Sequence, residues 1–306
     1  MNVLITGGTG LLGRALIATM PPGTRVSVVH RREYHLDKSV GTQFILDLAD
    51  EKRVRDLFVR RQFDAVIHAA GIASVDYVEQ HYEEAWRSNM TATEHILDAV
   101  HKQDVRFVYI SSNAVFDGRH APYRENDPVN PVNKYGQIKA ECERIVKRRC
   151  PEAAIVRPIL MYGWPFSHGR PNPATWIIER LQSGERVNVV TDVQENPLWF
   201  YQCAEAIWRT IDWKIAGTIH VAGRDMVNRY EFARLVAQVF GLDETLIHAV
   251  DSSYFPALAA RPANTSFVTE RMEQELELKP LSLEEGLGRM RSLASGMSVL
   301  YSHGST

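Results

Sequence analysis

Apolar, β-branched runs alternate with helix-period stretches over the first half of the chain. Asn2–Thr6, Arg25–His30, Gln43–Leu46, Asp64–His68, Val105–Ile110 and Ala153–Arg157 each have the length and composition of a buried strand. Between them, Arg14–Met20, the charged stretch ending at Arg61, Val75–His101 and Lys134–Arg149 have the spacing of helices. Such alternation predicts an α/β architecture, a doubly wound parallel sheet with helices on both faces. Pro21-Pro22-Gly23 ends the first helix, and Asp117-Gly118 with Pro122, Pro128 and Pro131 marks an irregular loop. Asn89 sits midway along Val75–His101, where asparagine competes for backbone hydrogen bonds, so a kink is expected there.

The second half is mixed. Helices are predicted over Trp176–Ser183, Ala204–Asp212, Arg229–Phe240, Thr269–Glu277 and Leu283–Leu293, and strands over Val187–Val190 and Thr218–Val221. Gly163–Pro173 is a candidate lid, and the tail from Ser298 is expected to fray. The domain division that follows is 1–160 for a first domain and 161–306 for a smaller, mixed C-terminal one, with part of 187–213 returning to the first.

In an open parallel sheet the ligand crevice lies beyond the carboxyl ends of the strands. Several chemically distinctive residues fall there. Gly7-Gly8-Thr9-Gly10-Leu11-Leu12-Gly13 follows the first strand and opens a helix; Gly7, Gly10 and Gly13 permit a tight turn and close approach of a pyrophosphate. This is the Rossmann pattern of a dinucleotide site, and Gly7, Thr9, Gly10, Leu11, Leu12 and Gly13 are its candidate residues. Arg31 and Arg32 follow the second strand, where an NAD site would carry an acid; guanidinium groups there favour the extra phosphate of NADP, with NAD still possible. Asp47-Leu48 ends the third strand, where Asp47 could meet the adenine or, like Asp50, cap the next helix. Ala69-Ala70-Gly71 ends the fourth, its small side chains leaving room for a dinucleotide, and Asn89 is counted with these cofactor positions. The fifth strand ends at Ser111-Ser112. Tyr135 and Lys139, four residues apart, share one face of the next helix. A hydroxyl, a phenol and an ammonium would thus converge where an oxygen must gain or lose a proton as a hydride moves at its carbon. Ser112, Tyr135 and Lys139 are the candidate catalytic set, and the latter two also touch the cofactor.

Bulk properties narrow this little. The 306 residues suit one large domain or two unequal ones, and a formal net charge of -2 gives no electrostatic reason to expect nucleic acid or an anionic membrane as partner. Three cysteines without a CxxC point to a reduced, cytoplasmic setting, and the 11 histidines form no ligand spacing, so no metal site is predicted. No apolar run is long enough to span a bilayer, and the amino terminus has no signal-peptide pattern.

The glycine turn, Ala69-Ala70-Gly71, and Tyr135-Gly136 with Lys139 resemble the extended short-chain dehydrogenases/reductases. Val115-Phe116-Asp117-Gly118, Pro122-Tyr123-Arg124-Glu125, Ile219-His220-Val221-Ala222-Gly223 and Arg261-Pro262-Ala263-Asn264 are similar to the branch containing dTDP-4-dehydrorhamnose reductase. The resemblance spans nearly the whole chain. It implies hydride transfer from NADPH to a keto sugar carried on a nucleoside diphosphate, in a homodimer. Ser112 would bond the substrate carbonyl, Tyr135 would donate the proton, and Lys139 would bind the nicotinamide ribose and lower the phenol's pKa. Asn113, Ala114 and Arg261 are the implied substrate positions. Asn113 and Ala114 stand where this branch has Asp and Tyr, and Leu160 where it has Trp. Asp192–Pro197 lacks the Gln and Gly of the Asp-Gln-x-Gly-x-Pro run. The sugar end has therefore changed while the proton chemistry is intact. An epimerase of the same superfamily and a non-catalytic regulator resembling the methionine adenosyltransferase regulatory subunit are the alternative readings.

Overall fold

The structure, a computed structural model, describes residues 1–306 except 34–39, 102, 104, 167–168, 257–258 and 302–306, and gives the backbone alone for 295–301. In chain order its first half holds β1 (Asn2–Thr6), α1 (Leu11–Ala18), β2 (Arg25–His30), β3 (Thr42–Ile45), α2 (Glu51–Arg60), β4 (Ala65–His68), α3 (Val75–Gln80), α4 (Tyr82–Trp86), α5 (Ala92–Val100), β5 (Arg106–Ile110), α6 (Lys134–Arg149) and β6 (Ala154–Pro158). The second half adds β7 (Met161–Tyr162), α7 (Pro173–Gln182), β8 (Val187–Val190), β9 (Gln194–Glu195), β10 (Leu198–Trp199), α8 (Phe200–Asp212), β11 (Gly217–Val221), β12 (Val227–Asn228), α9 (Arg229–Phe240), β13 (Ile247–Val250), α10 (Glu270–Glu275) and α11 (Leu283–Tyr301).

Seven strands form one sheet in the order β11-β6-β5-β4-β1-β2-β3, every pair parallel. This is the doubly wound fold. Side chains alternate across each strand, so Val3 and Ile5 of β1 enter one core with Leu16, Ile207 and Trp208, while Leu4 enters another with Phe58, Ile96, Phe107 and Ile138. Helix α8 covers the first face beside α1, and the Trp208 indole donates to the Leu16 carbonyl at 3.2 Å. Strand β11 then joins β6, so the sheet's last member comes from well inside the second half. Val187–Val190 pairs away from this sheet, with β13, a strand the apolar pattern does not announce.

The single helix expected over Val75–His101 is instead three. It breaks at His81, and a π-helical turn spans Arg87–Thr91 before α5. Asn89 stands in that π-turn, and its side-chain bonds are not local. Its side-chain oxygen accepts from Ile72 N at 2.7 Å and its amide donates to Ile72 O at 3.0 Å, so the side chain clamps a neighbouring loop. The widened turn lies against the helix that carries Tyr135, with Cys142 Sγ 3.6 Å from Met90 Sδ. At the other end, α11 continues to Tyr301; the rest of the tail expected to fray lies outside the described residues.

Candidate active site

The glycine turn is built for contact with backbone. Gly7 has φ +74°, and a Cβ there would lie 2.9 Å from the backbone of Ala69 and Ala70. A Cβ on Gly13 would sit 2.5 Å from Gly7 O. Gly10 caps α1 without a side-chain bond, and no acid occupies the helix's first turn, so its N–H groups and positive dipole end suit an anion. Thr9 and Leu11 are half-buried beside it, and Leu12 is buried.

A buried relay missing from the sequence reading braces this cradle. Thr6 Oγ1 lies 2.8 Å from His68 Nδ1 and accepts from Ala70 N at 3.1 Å, while His68 Nε2 lies 3.0 Å from Thr93 Oγ1. The Ala69-Ala70 shelf is thereby tied to β1. Burial, with Lys139 adding to it, pushes the His68 imidazole down to about 3, so it is neutral at ordinary pH. Asn89 secures Ile72 at the far end of the shelf, and its oxygen lies 2.9 Å from where a Cβ on Gly71 would stand. Arg31 and Arg32 are exposed beyond β2. Asp47 accepts from Ala49 N at 3.0 Å and pairs with Arg87 at 3.0 Å, leaving Asp50 to cap α2. Leu48 is buried, and its carbonyl bonds His95 Nδ1 at 3.0 Å.

The candidate catalytic set is brought together by one close contact. Asn133 caps α6, its side chain accepting from Gly136 N at 2.9 Å. Gly136 brings that helix start onto the turn Asn113–Val115; a Cβ there would lie 2.1 Å from Ala114 O. Tyr135 consequently meets Ser112 at the end of β5, where Ser112 Oγ also accepts from Ala114 N at 3.2 Å. Burial raises the Tyr135 phenol to about 12, and the Ser112 hydroxyl beside it works in the opposite direction. Lys139 lies beneath, donating to Ile110 O at 2.8 Å and to Tyr109 OH at 3.3 Å, and burial lowers its own pKa. In the ligand-free site the Lys139 ammonium is engaged by Ile110 and Tyr109, and burial is the largest influence on Tyr135.

The three implied substrate positions are all occupied with protein contacts. Ala114 is buried against α6. The Asn113 amide nitrogen donates to Glu195 Oε1 at 2.9 Å and Thr265 Oγ1 at 2.7 Å. Arg261 forms a two-pronged pair with Asp76 of α3, at 3.0 and 2.7 Å. Asn113 and Glu195 are both departures from the resembled pattern, Glu195 standing at its Gly, and they touch each other.

Two other quoted motifs prove to be packing partners. Asp117 accepts from Tyr123 OH at 2.6 Å and Asn130 Nδ2 at 2.9 Å, which holds its carboxyl down to about 2. A Cβ on Gly118, φ +79°, would lie 2.7 Å from Pro262 Cβ and 2.8 Å from Ala263 N. The Phe-Asp-Gly turn thus seats the Arg-Pro-Ala-Asn loop, and Asn133 bonds the carbonyl of the preceding Ala260 at 2.9 Å. The proposed lid lies partly outside the described residues; Arg14 of α1 donates to its Trp164 carbonyl at 2.8 Å.

Beneath the catalytic set runs an ion pair that sequence reasoning missed. Arg157, 1% exposed, donates through Nε and Nη2 to Glu143 at 2.8 and 2.6 Å, and Ser111 Oγ donates to the same carboxylate at 2.6 Å. The Arg157 Nη1 group also reaches His220 Nε2 at 3.1 Å; burial, then the guanidinium, holds that imidazole well below its usual range. A signal existed: Tyr135, Lys139 and Glu143 form an i, i+4, i+8 stripe.

Pockets of about 290 Å³, near Asn196 and Lys279, and about 350 Å³, near Trp199 and Arg289, lie elsewhere, and neither is lined by the catalytic set. Among the described residues no group of His, Cys, Asp or Glu is placed to hold a metal, and no helix is long and apolar enough to cross a membrane.

The family described as the RmlD substrate binding domain matches residues 1–294. The chain is 30% identical over 293 residues to methionine adenosyltransferase 2 subunit beta of Danio rerio, covering 92% of this chain and 86% of that one. It is 26% identical to a dTDP-4-dehydrorhamnose reductase of Aggregatibacter actinomycetemcomitans, covering 96% and 99%. Among solved structures, a dTDP-4-dehydrorhamnose reductase of Bacillus anthracis in complex with NADP is 25% identical, covers 95% of this chain and 99% of that one, and superposes with a TM-score of 0.84.

Proposed function

The chain belongs to the RmlD substrate binding domain family, and from that premise we infer that it is an NADP-dependent reductase of a keto group on a nucleoside-diphosphate sugar. The observation that carries this reading is the meeting of Tyr135 and Ser112 at the end of β5, two strands along the sheet from the glycine cradle. The cradle's chemistry fits a dinucleotide: backbone approaches that any Cβ would fill, and an uncapped helix start. NADPH supplies the hydride when bound.

The chain's own residues handle binding and the proton. Gly7, Thr9, Gly10, Leu11, Leu12 and Gly13 bind the pyrophosphate, the Ala69–Gly71 shelf gives the dinucleotide a flat bed, and Asn89 holds that shelf in place. Arg31 and Arg32 take the phosphate that distinguishes NADP, and Asp47 and Leu48 border the adenine. Tyr135, kept protonated by burial, gives its proton to the keto oxygen, with Ser112 fixing that oxygen. Lys139 presents a positive charge to the ribose side. Asn113, Ala114 and Arg261 face the sugar nucleotide, and Arg261 must leave Asp76 to do so. A cofactor half over 1–160, to which part of 187–213 and also β11 return, and a substrate half over the rest of 161–306 follow from this reading, as do a cytoplasmic homodimer and a boundary cleft between the halves.

The test is oxidation of NADPH against a panel of nucleoside-diphosphate keto sugars. Turnover with at least one is expected. Tight NADPH binding with no turnover on any would instead favour a non-catalytic regulator, the direction in which the likeness to methionine adenosyltransferase 2 subunit beta points. Arg31→Ala is expected to weaken NADPH by about 10- to 100-fold, the scale of a lost charge-assisted hydrogen bond, and NADH by under about twofold. Equal losses for both, measured by fluorescence titration, would refute the phosphate role.

A further inference from the structure

One carboxylate close to the proton donor has no role in the reading above. Glu195 reaches from β9 to the end of β5 and is only 7% exposed. Its Oε2 lies 2.6 Å from Arg229 Nη2, and its Oε1 accepts from Asn113 Nδ2 at 2.9 Å. An ionised carboxylate can only accept hydrogen bonds. The Asn113 amide must therefore turn its nitrogen toward Glu195 and Thr265, which leaves Asn113 Oδ1 to accept from Ser112 Oγ, at 3.2 Å. In the ligand-free site the single Ser112 proton is thus directed at Asn113, and it turns to the keto oxygen when substrate binds. A lone pair of Ser112 Oγ accepts from Ala114 N, and the Tyr135 phenol lies beside the same hydroxyl. Flipping the amide would set two acceptors against each other at Glu195 and reverse the hydroxyl.

We propose that Glu195 is a positioning residue for proton donation: acting through Asn113, it sets which way the Ser112 hydroxyl points and so steadies the Tyr135 phenol. It touches neither substrate nor cofactor. The proposal rests on the reductase reading, and it adds a part of the machinery contributed by the second half of the chain. Glu195→Gln removes the polarity, because one amide oxygen cannot serve both Asn113 and Arg229. Asn113→Asp sets two carboxylates face to face. The double exchange rebuilds the pattern. The carboxylate introduced at position 113 would accept from Ser112 and from the amide introduced at position 195, and that amide's oxygen would accept from Arg229.

The experiment compares these three variants with wild type in NADPH oxidation, using the keto sugar that wild type reduces best. Glu195→Gln, which leaves every substrate position intact, is expected to lose about tenfold in kcat with KM within about twofold; Asn113→Asp is expected to lose at least as much in kcat, and the double variant to recover most of that loss in kcat. Wild-type kcat in Glu195→Gln, or a double variant no better than the poorer single one, would overturn the proposal. A readout independent of turnover separates it from the reductase reading. The Asn113 side-chain amide resonances, assigned by their loss in Asn113→Asp, are expected to lie downfield and exchange slowly in wild type, and to move upfield in Glu195→Gln. Resonances indifferent to Glu195 would sink the idea even in a protein that reduces no sugar.

Discussion

Tyr135→Phe is expected to lower keto-sugar turnover by about 10²- to 10⁴-fold, the usual share of a positioned proton donor, while NADPH binding stays within about twofold. The phenol is 7% exposed and pushed up to about 12, so in the ligand-free protein it is protonated throughout the neutral range. A group in that state can give a proton and cannot readily take one, which suits reduction of a carbonyl. Phenylalanine keeps the ring that packs beside Cys142 and Ile138 in the second core and removes only the hydroxyl. Fold and cofactor cradle are thus preserved, and single-turnover rates with fluorescence titration of NADPH separate chemistry from binding. Undiminished turnover would transfer the proton to another group and dismantle the proposed roles of Ser112 and Lys139 with it.

Glu143→Gln is expected to destabilise the fold by about 3–5 kcal/mol, a large part of a domain's usual ~5–15 kcal/mol. Arg157 would keep its charge in the interior with its counter-charge gone, and the single amide oxygen could stand at only one carboxylate position, setting an NH2 group either against Arg157 Nη2 or against Arg157 Nε and Ser111 Oγ. Lys147, 3.7 Å away but half-exposed, can turn to water and gains nothing from the change. Urea unfolding measures the effect. Glu51→Gln, which breaks the exposed Arg55–Glu51 pair at 3.8 Å, is the matched control and is expected to leave the midpoint in place. Equal midpoints for the two variants would mean that the buried pair contributes no net stability.

The sheet was legible because its signals are local. Arg25–His30, Lys134–Arg149 and Arg229–Phe240 carry complete periods and have the predicted bounds, and their order forces parallel pairing. The positions of Gly7, Gly13, Ser112 and Tyr135 followed from that topology, since every parallel strand ends on the same side. What escaped was chemistry that exists only in three dimensions. Glu195, from a two-residue strand, has no periodic neighbourhood, and its partner Asn113 is 82 positions away. His68 read as one more strand residue until Thr6 and Thr93 stood on either side of it. Asn89 announced a distortion, yet its target, Ile72, belongs to a different segment. The partners of Lys139 were hidden for a related reason: shared helix face does not decide which acceptor a long side chain chooses, and here Ile110 O and Tyr109 OH receive it. The motifs at 117–118 and 261–264 were recognisable by pattern, but only the 2.7 Å approach that a Gly118 Cβ would make to Pro262 explains why both are present.

The late arrival of β11 bears on how the polypeptide is made. Once β6 has left the ribosome it can pair with β5 along one side while the other side waits for β11, and all five of its residues are ones the finished protein keeps dry. Its bare margin stays available until Gly217–Val221 emerges from the ribosome. Throughout that interval the nascent chain offers neighbouring chains a ready template for strand addition, a hazard that ends when the last strand docks.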